Sequence, residues 1–144
     1  MEKIKALIGK LNTEQKAPVF DTEGAVLVIA GAGSGKTRVL TTRICHLVLE
    51  KGVHPSNIMA ITFTNKASKE MKERLSKMIG DVSSMWVMTI HSMCVKILRR
   101  DIDKLGYDKN FTIYDESDKE KVLKRVFSEL NYDSDKFYKS AKKH

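Results

Sequence analysis

The sequence is poor in cysteine and contains no long hydrophobic run. Its two cysteines, Cys45 and Cys94, have neither the spacing of a metal site nor the number needed for a disulfide framework. They favour a reduced, cytoplasmic location. No apolar stretch approaches the length of a membrane span, and residues 1–5 lead into no signal-peptide core, so we expect no membrane partner. Internal repeats and low-complexity segments are absent too.

The composition that remains is that of an ordinary globular protein. The chain has 144 residues, of which 42% are hydrophobic and 31% are charged, enough for one domain with a real core. Lysine and arginine number 26 against 18 aspartate and glutamate residues, for a net charge of +8. This excess favours a polyanionic partner, above all a nucleic acid.

The most informative segment is rich in glycine and follows an apolar run, residues 25–29, that predicts a buried strand over 26–30. A turn that leaves a strand and opens a helix directs successive backbone N–H groups at one point, which suits phosphate. Its lysine can reach the terminal phosphates of a nucleotide and its threonine hydroxyl can bind Mg²⁺. The first position of the usual pattern is alanine instead of glycine. The residues of this phosphate loop are Ala30, Gly31, Ala32, Gly33, Ser34, Gly35, Lys36 and Thr37.

Strands and helices alternate along the first hundred residues. The hydrophobic pattern predicts strands over 26–30, 58–62 and 86–90, each followed by an amphipathic helix. Such alternation is typical of βαβ units, so we expect an α/β fold built on a parallel sheet. The pattern changes after residue 106, where helical segments lead into a lysine-rich tail.

Polar residues follow the second and third predicted strands, at the edge of a parallel sheet where ligands bind. The second strand leads to Thr62, Phe63, Thr64, Asn65 and Lys66. This set could stack a base and hold phosphates, or it could consist of a core phenylalanine and a capping asparagine.

The third predicted strand leads to Thr89 and His91. A lone histidine at a helix start is more often a cap or a satisfied core residue than a ligand contact. Both readings of these residues therefore stay open on the sequence pattern alone.

Four ordered segments together resemble superfamily 1 DNA helicases of the UvrD/Rep/PcrA type. They are residues 11–15, the phosphate loop, residues 61–67 and residues 89–94, and the similar region covers about residues 8–130. The glutamine of the first segment, Gln15, precedes Lys36 at the family's spacing. The resemblance implies a P-loop NTPase (RecA-like) parallel sheet, incomplete in this chain, and ATP with Mg²⁺ as cofactors.

The resemblance also implies roles for individual residues. The adenine base would be recognised by Gln15, and Arg38 would pack beside it. The β-phosphate would be held by Gly33, Ser34 and Gly35. Lys36 would bind the β- and γ-phosphates, and Thr37 would bind Mg²⁺. The DNA-contacting motifs would be Thr62, Phe63, Thr64, Asn65 and Lys66, with Thr89 and His91. The partners it implies are single-stranded DNA and duplex junctions, during ATP-driven translocation and unwinding in replication or repair.

Part of the family's machinery has no counterpart among these residues. The family's Asp-Glu strand has only Asp115 and Glu116 as a superficial match, and their position favours a helix cap instead. Arginine fingers and a second RecA-like domain are also missing. We therefore expect an N-terminal helicase fragment that binds nucleotide without hydrolysing it. Residues 1–107 would belong to the first RecA-like domain and residues 108–144 to an inserted helical subdomain.

Two other classes of protein remain open. A stand-alone P-loop ATPase or kinase would use Asp115 and Glu116 as a working acidic pair, and it would need a phosphoacceptor pocket. A non-catalytic DNA-binding module would keep the fold without hydrolysis, although packing alone has no need for Gln15, Lys36 and Thr37.

Overall fold

The computed structural model describes residues 2–131, and the predicted lysine-rich tail over 132–144 lies outside them. Six α-helices and two strands make up the described chain. Their bounds are α1 Glu2–Gly9, α2 Thr13–Phe20, α3 Lys36–Leu49, β1 Met59–Thr62, α4 Asn65–Ile79, β2 Trp86–Thr89, α5 Ile90–Asp101 and α6 Glu116–Glu129. The architecture is mixed α/β, as the alternation predicts.

The two strands confirm the predicted parallel pairing. β1 and β2 lie side by side in register, with Met59 opposite Trp86 and Thr62 opposite Thr89, and α4 connects them. Because the strands are parallel, their carboxyl ends meet at one edge of the sheet. The residues that follow β1 and β2 are thereby brought together.

The strand predicted over 26–30 is wrong. These residues form no strand, and the side chains of Leu27 and Ile29 are 85% and 90% exposed. A strand needs a hydrogen-bonded neighbour, and within residues 2–131 β1 and β2 pair only with each other. An apolar run shows that a segment could be buried. Burial also requires that its backbone N–H and C=O groups form hydrogen bonds with another segment.

The core lies where α1, α3 and α4 pack around the two-stranded sheet. Ile4 of α1, Ile44 of α3, Leu75 of α4 and Val87 of β2 are all buried in one cluster. Cys45 belongs to the same cluster, and desolvation by burial raises the pKa of its thiol to about 11. This cluster positions the start of α3 and the ends of both strands.

The chain divides into two compact units, Met1–Leu98 and Arg99–His144. None of the described residues of the second unit is buried. Its helix α6 begins at a capping box, in which Asp115 accepts a hydrogen bond from the backbone N–H of Asp118 at 2.8 Å. This confirms the capping role predicted for Asp115. The predicted domain boundary at 107–108 stays a prediction.

The burial predicted for one face of α5 is wrong. Cys94 is exposed, and Ile97 and Leu98 retain more than a third of their accessible surface. The apolar spacing identifies a face of the helix, but no described element covers that face closely enough to bury it. Separately, no helix within residues 2–131 is long and apolar enough to cross a lipid bilayer. The cytoplasmic location stays a prediction.

Candidate nucleotide and nucleic-acid sites

The phosphate loop turns through two glycines with positive φ and ends where α3 begins. Gly33 and Gly35 have φ values of 74° and 84°, a region that residues with a Cβ rarely adopt. Lys36 is the first residue of α3, and its ammonium group donates hydrogen bonds to the carbonyls of Ala30 at 3.1 Å and Gly31 at 2.6 Å. The lysine is therefore folded over the loop, at the positive end of the helix dipole.

Gln15 connects α2 to this loop. Asn12 caps α2, and in the capping box the Gln15 amide oxygen accepts from the backbone N–H of Asn12 at 3.1 Å. The amide nitrogen of the same side chain donates to the carbonyl of Ser34 at 2.9 Å. A Cβ on Gly35 would lie 3.1 Å from that nitrogen, a tight contact that would press on Gln15, and the positive φ of Gly35 also favours glycine.

A cavity of about 750 Å³ opens between α2, residues 26–30 and the start of α3. A volume of this size is typical of small-molecule sites. The predicted cofactor-binding residues that line it are Gln15, Ala30, Gly33, Ser34 and Lys36. The predicted residues that do not line it are Gly31, Ala32, Gly35, Thr37 and Arg38. Thr37 and Arg38 are exposed in the first turn of α3.

Arg43 is a cavity residue that sequence reasoning missed. Its guanidinium donates to the carbonyls of Pro18 and Asp21 at the end of α2, while its side chain lines the cavity. Gln15, near the start of α2, contacts the phosphate loop, and Arg43 of α3 contacts the end of α2. Both ends of this short helix are therefore held by hydrogen bonds to the phosphate loop or to the helix that follows it. Arg43 follows Lys36 by seven residues, two helical turns, and this spacing was the signal that could have identified it.

Threonines organise the edge of the sheet where β1 and β2 end. The Thr62 hydroxyl shares a hydrogen bond of 2.5 Å with Ser68 and donates to the carbonyl of Thr64 at 3.0 Å. Thr64 is the N-cap of α4, so the alternative that Asn65 caps this helix is wrong. Thr89 is buried, and its hydroxyl accepts from the backbone N–H of Ser92 at 3.2 Å.

Three other predicted residues at this edge extend into solvent. Phe63 is 102% exposed, which excludes the alternative that it belongs to the core. Lys66 and His91 are exposed as well. Within residues 2–131 the side chains of Phe63, Lys66 and His91 have no hydrogen-bonding or ionic partner, so they remain available for a ligand.

The chain is similar to known proteins over most of its length. Residues 11–144 match the family described as the UvrD/REP helicase N-terminal domain. The chain belongs to this family. It is 56% identical over 135 residues to the ATP-dependent DNA helicase PcrA of Staphylococcus aureus and 53% identical to that of Staphylococcus epidermidis.

The UvrD/REP match begins at Leu11, directly before the capping box, and includes every predicted site residue from Gln15 to His91. The alignments to the two staphylococcal helicases cover 93% of this chain but only 18% of each relative. Membership of the UvrD/REP family agrees with the resemblance identified from the four sequence segments.

Proposed function

We propose that this chain is the ATP-binding part of the first RecA-like domain of an ATP-dependent DNA helicase. In this proposal residues 1–107 belong to the P-loop NTPase (RecA-like) domain and residues 108–144 start an inserted helical subdomain. A second RecA-like domain would be needed for translocation on single-stranded DNA and for unwinding at duplex junctions, in replication or repair.

The observation that carries the proposal is the contact between Gln15 and the phosphate loop. An amide side chain offers both a donor and an acceptor, which the edge of adenine requires. This amide lies 2.9 Å from the loop carbonyl of Ser34, on the same cavity as Lys36. One nucleotide can therefore present its base to Gln15 and its phosphates to Lys36.

Nucleotide binding would give the Lys36 ammonium group new hydrogen-bond acceptors. The ammonium group of Lys36 now contacts the carbonyls of Ala30 and Gly31, and nucleotide phosphates would replace them. Mg²⁺ prefers oxygen ligands, and the Thr37 hydroxyl is exposed beside Lys36, so the residues present fit this ion. When bound, the ion would neutralise charge on the phosphates. Arg38 would pack beside the base.

DNA would bind at the edge of the sheet where β1 and β2 end. Phe63 is free to stack on a base, and Lys66 and His91 can reach the backbone of a single strand. The hydrogen-bonded threonines Thr62, Thr64 and Thr89 hold this edge in place, and Asn65 follows at the start of α4.

The local contacts of the acidic pair Asp115 and Glu116 support binding without hydrolysis. Asp115 is engaged as the cap of α6, where its carboxylate accepts from the backbone of that helix. This contact also argues against the kinase alternative, which requires the pair Asp115 and Glu116 to act on a substrate.

Titration calorimetry with Mg²⁺ and ATP tests the nucleotide site. We expect Lys36→Ala to weaken ATP binding by about tenfold to a hundredfold, because a charged hydrogen bond contributes about 1.5–3 kcal/mol. Gln15→Ala should reduce the preference for ATP over GTP. Lys51→Ala, an exposed lysine outside the cavity, is the matched control.

Three results would contradict the proposal. Unchanged ATP affinity in Lys36→Ala would show that the loop is not the phosphate site. Hydrolysis of ATP that depends on Lys36 would favour a self-contained ATPase. DNA binding without any nucleotide binding would favour the non-catalytic module.

A further inference from the structure

A second cavity, of about 450 Å³, lies between α4 and α5 above β2. Its polar lining includes Asn65 at the start of α4 and Ser92 in the first turn of α5. Farther along the same two helices it is lined by Lys69, Lys72 and Lys96. We call this feature the lysine cleft. None of its three lysines is among the residues predicted to bind DNA.

The three lysines form no ion pair with any carboxylate among the described residues. Within residues 2–131 no carboxylate lies within 4.0 Å of the Lys69, Lys72 or Lys96 ammonium groups, while other lysines do form such pairs. The Lys96 ammonium group lies 4.4 Å from the centre of the Trp86 ring, which holds it beside the cleft. Like charges gathered in a concave surface repel one another and attract an anion.

The cleft is continuous with the DNA-binding edge of the sheet. Asn65 and Ser92 line it, and each is the immediate sequence neighbour of an exposed residue of that edge, Lys66 and His91. The lysines lie one to two turns farther along α4 and α5. A strand that contacts Lys66 and His91 can therefore continue into the cleft without a break.

We propose that the lysine cleft binds the phosphates of the single-stranded DNA that crosses the sheet edge, and so extends the DNA site beyond the predicted motifs. This inference rests on the proposed function. The cleft would contact backbone rather than bases, because its charged groups are lysines and the Trp86 ring, on which a base could stack, is covered by Lys96.

An open cleft suits a polymer better than a small anion. All three lysines are exposed. The buried polar side chain of the lining, Ser68, already shares its hydroxyl with Thr62 and Thr64. A free phosphate would therefore meet exposed, hydrated ammonium groups and no unengaged buried polar side chain. A chain of linked phosphates instead gains from several such contacts at once.

The test compares two triple variants that change net charge equally. Lys69→Gln, Lys72→Gln and Lys96→Gln remove the charge of the cleft. Lys3→Gln, Lys51→Gln and Lys77→Gln remove exposed charges that line neither cavity. Binding of a labelled oligodeoxythymidylate is measured by fluorescence anisotropy over a series of salt concentrations. Circular dichroism and ATP binding check that each variant is folded.

We expect the cleft variant to bind at least about tenfold more weakly at low salt, with a shallower dependence of log affinity on log salt. Each lost phosphate contact removes about 0.7 from that slope, so three contacts remove about 2. The control variant should lose much less. Equal losses in the two variants would overturn the lysine cleft as a DNA site.

A further variant separates this inference from the proposed function. Phe63→Ala with Lys66→Gln removes two of the exposed predicted contacts at the sheet edge and leaves the cleft intact. If this variant loses affinity while the cleft variant behaves like the control, only the cleft inference fails. If neither variant differs from the control, or the unaltered chain does not bind the oligonucleotide, the DNA site of the proposed function fails too.

Discussion

The two units of the chain are stabilised in different ways. In the unit Met1–Leu98, helices and strands bury side chains such as Ile4, Leu75 and Val87 in a common cluster. In the described part of the unit Arg99–His144, no side chain is buried, and the contacts include exposed ion pairs such as Arg125–Glu129. Burying a large apolar side chain contributes about 1.5–3 kcal/mol, whereas an exposed ion pair contributes about 0–1 kcal/mol.

The candidate sites lie in the unit that has buried side chains. Every predicted site residue, from Gln15 to His91, and all three lysines of the cleft lie in the first unit. A binding site needs side chains held by a rigid scaffold, and among residues 2–131 the buried clusters that can hold them lie in the first unit. The stability of the first unit should therefore decide whether nucleotide and DNA bind.

The largest expected effect comes from a cavity in the core. Leu75 is 0% exposed, so Leu75→Ala should lower the free energy of unfolding by about 2–5 kcal/mol. Val122 of α6 is 41% exposed, and Val122→Ala should change it by about 0.5 kcal/mol or less. Urea unfolding followed by circular dichroism measures both. Similar losses in the two variants would contradict the contrast between the units.

Local features of the molecule could be predicted from the sequence, and features that depend on distant partners could not. The capping role of Asp115 depends on Asp118, three positions away, and this prediction is confirmed. The strand over 26–30 is wrong because a strand also needs a neighbour. Arg43 was missed because its acceptor Pro18 lies 25 positions earlier in the chain.

The same reasoning applies to the candidate sites. The predicted parallel sheet placed the ends of β1 and β2 at the same edge, and Thr62 at the end of β1 does lie opposite Thr89 at the end of β2. Sequence patterns did not reveal the lysine cleft, because Lys96 is brought beside Lys69 and Lys72 only by the packing of two helices around β2.

Two matched capping boxes give the next prediction. Asn12 and Asp115 each accept a backbone hydrogen bond at 2.8 Å at the start of a helix, one in each unit. Replacing either with alanine should cost about 1 kcal/mol. Asn12→Ala should lower the stability of the whole first unit, because α2 packs on α3 around buried Val19 and Val39. Asp115→Ala should act on α6 alone.

Amide hydrogen exchange distinguishes the two outcomes. Faster exchange in Asn12→Ala should reach core amides of α3 and β1, and ATP binding should weaken because Gln15 shares the capping box. In Asp115→Ala the change should stay within α6. Exchange that accelerates throughout the first unit in Asp115→Ala would mean that the two units unfold together.

The smallest expected effect concerns two surface carboxylates, one in each unit. Hydrogen bonds from Lys104 at 2.7 Å and Arg100 at 2.6 Å lower the pKa of Asp101 below its usual value of 3.8. The backbone N–H and the hydroxyl of Ser83, at 2.8 and 3.0 Å, lower the pKa of Asp81 in the same direction. The pKa of Asp101 in the second unit is therefore lowered by cations, and that of Asp81 in the first unit by neutral hydrogen-bond donors.

The pKa values of the two carboxylates should therefore respond differently to salt. Because each native pKa is lowered, each contact stabilises the fold above pH 3.8 and loses its effect as the pH falls through the native pKa. Added salt screens the cations around Asp101, so its pKa should rise toward 3.8, while the pKa of Asp81 should change little. Carboxyl-carbon NMR titration at low and high salt measures both values, with Lys104→Gln as a control that should raise the pKa of Asp101 alone. An equal response of the two carboxylates would mean that ion pairs do not distinguish the second unit from the first.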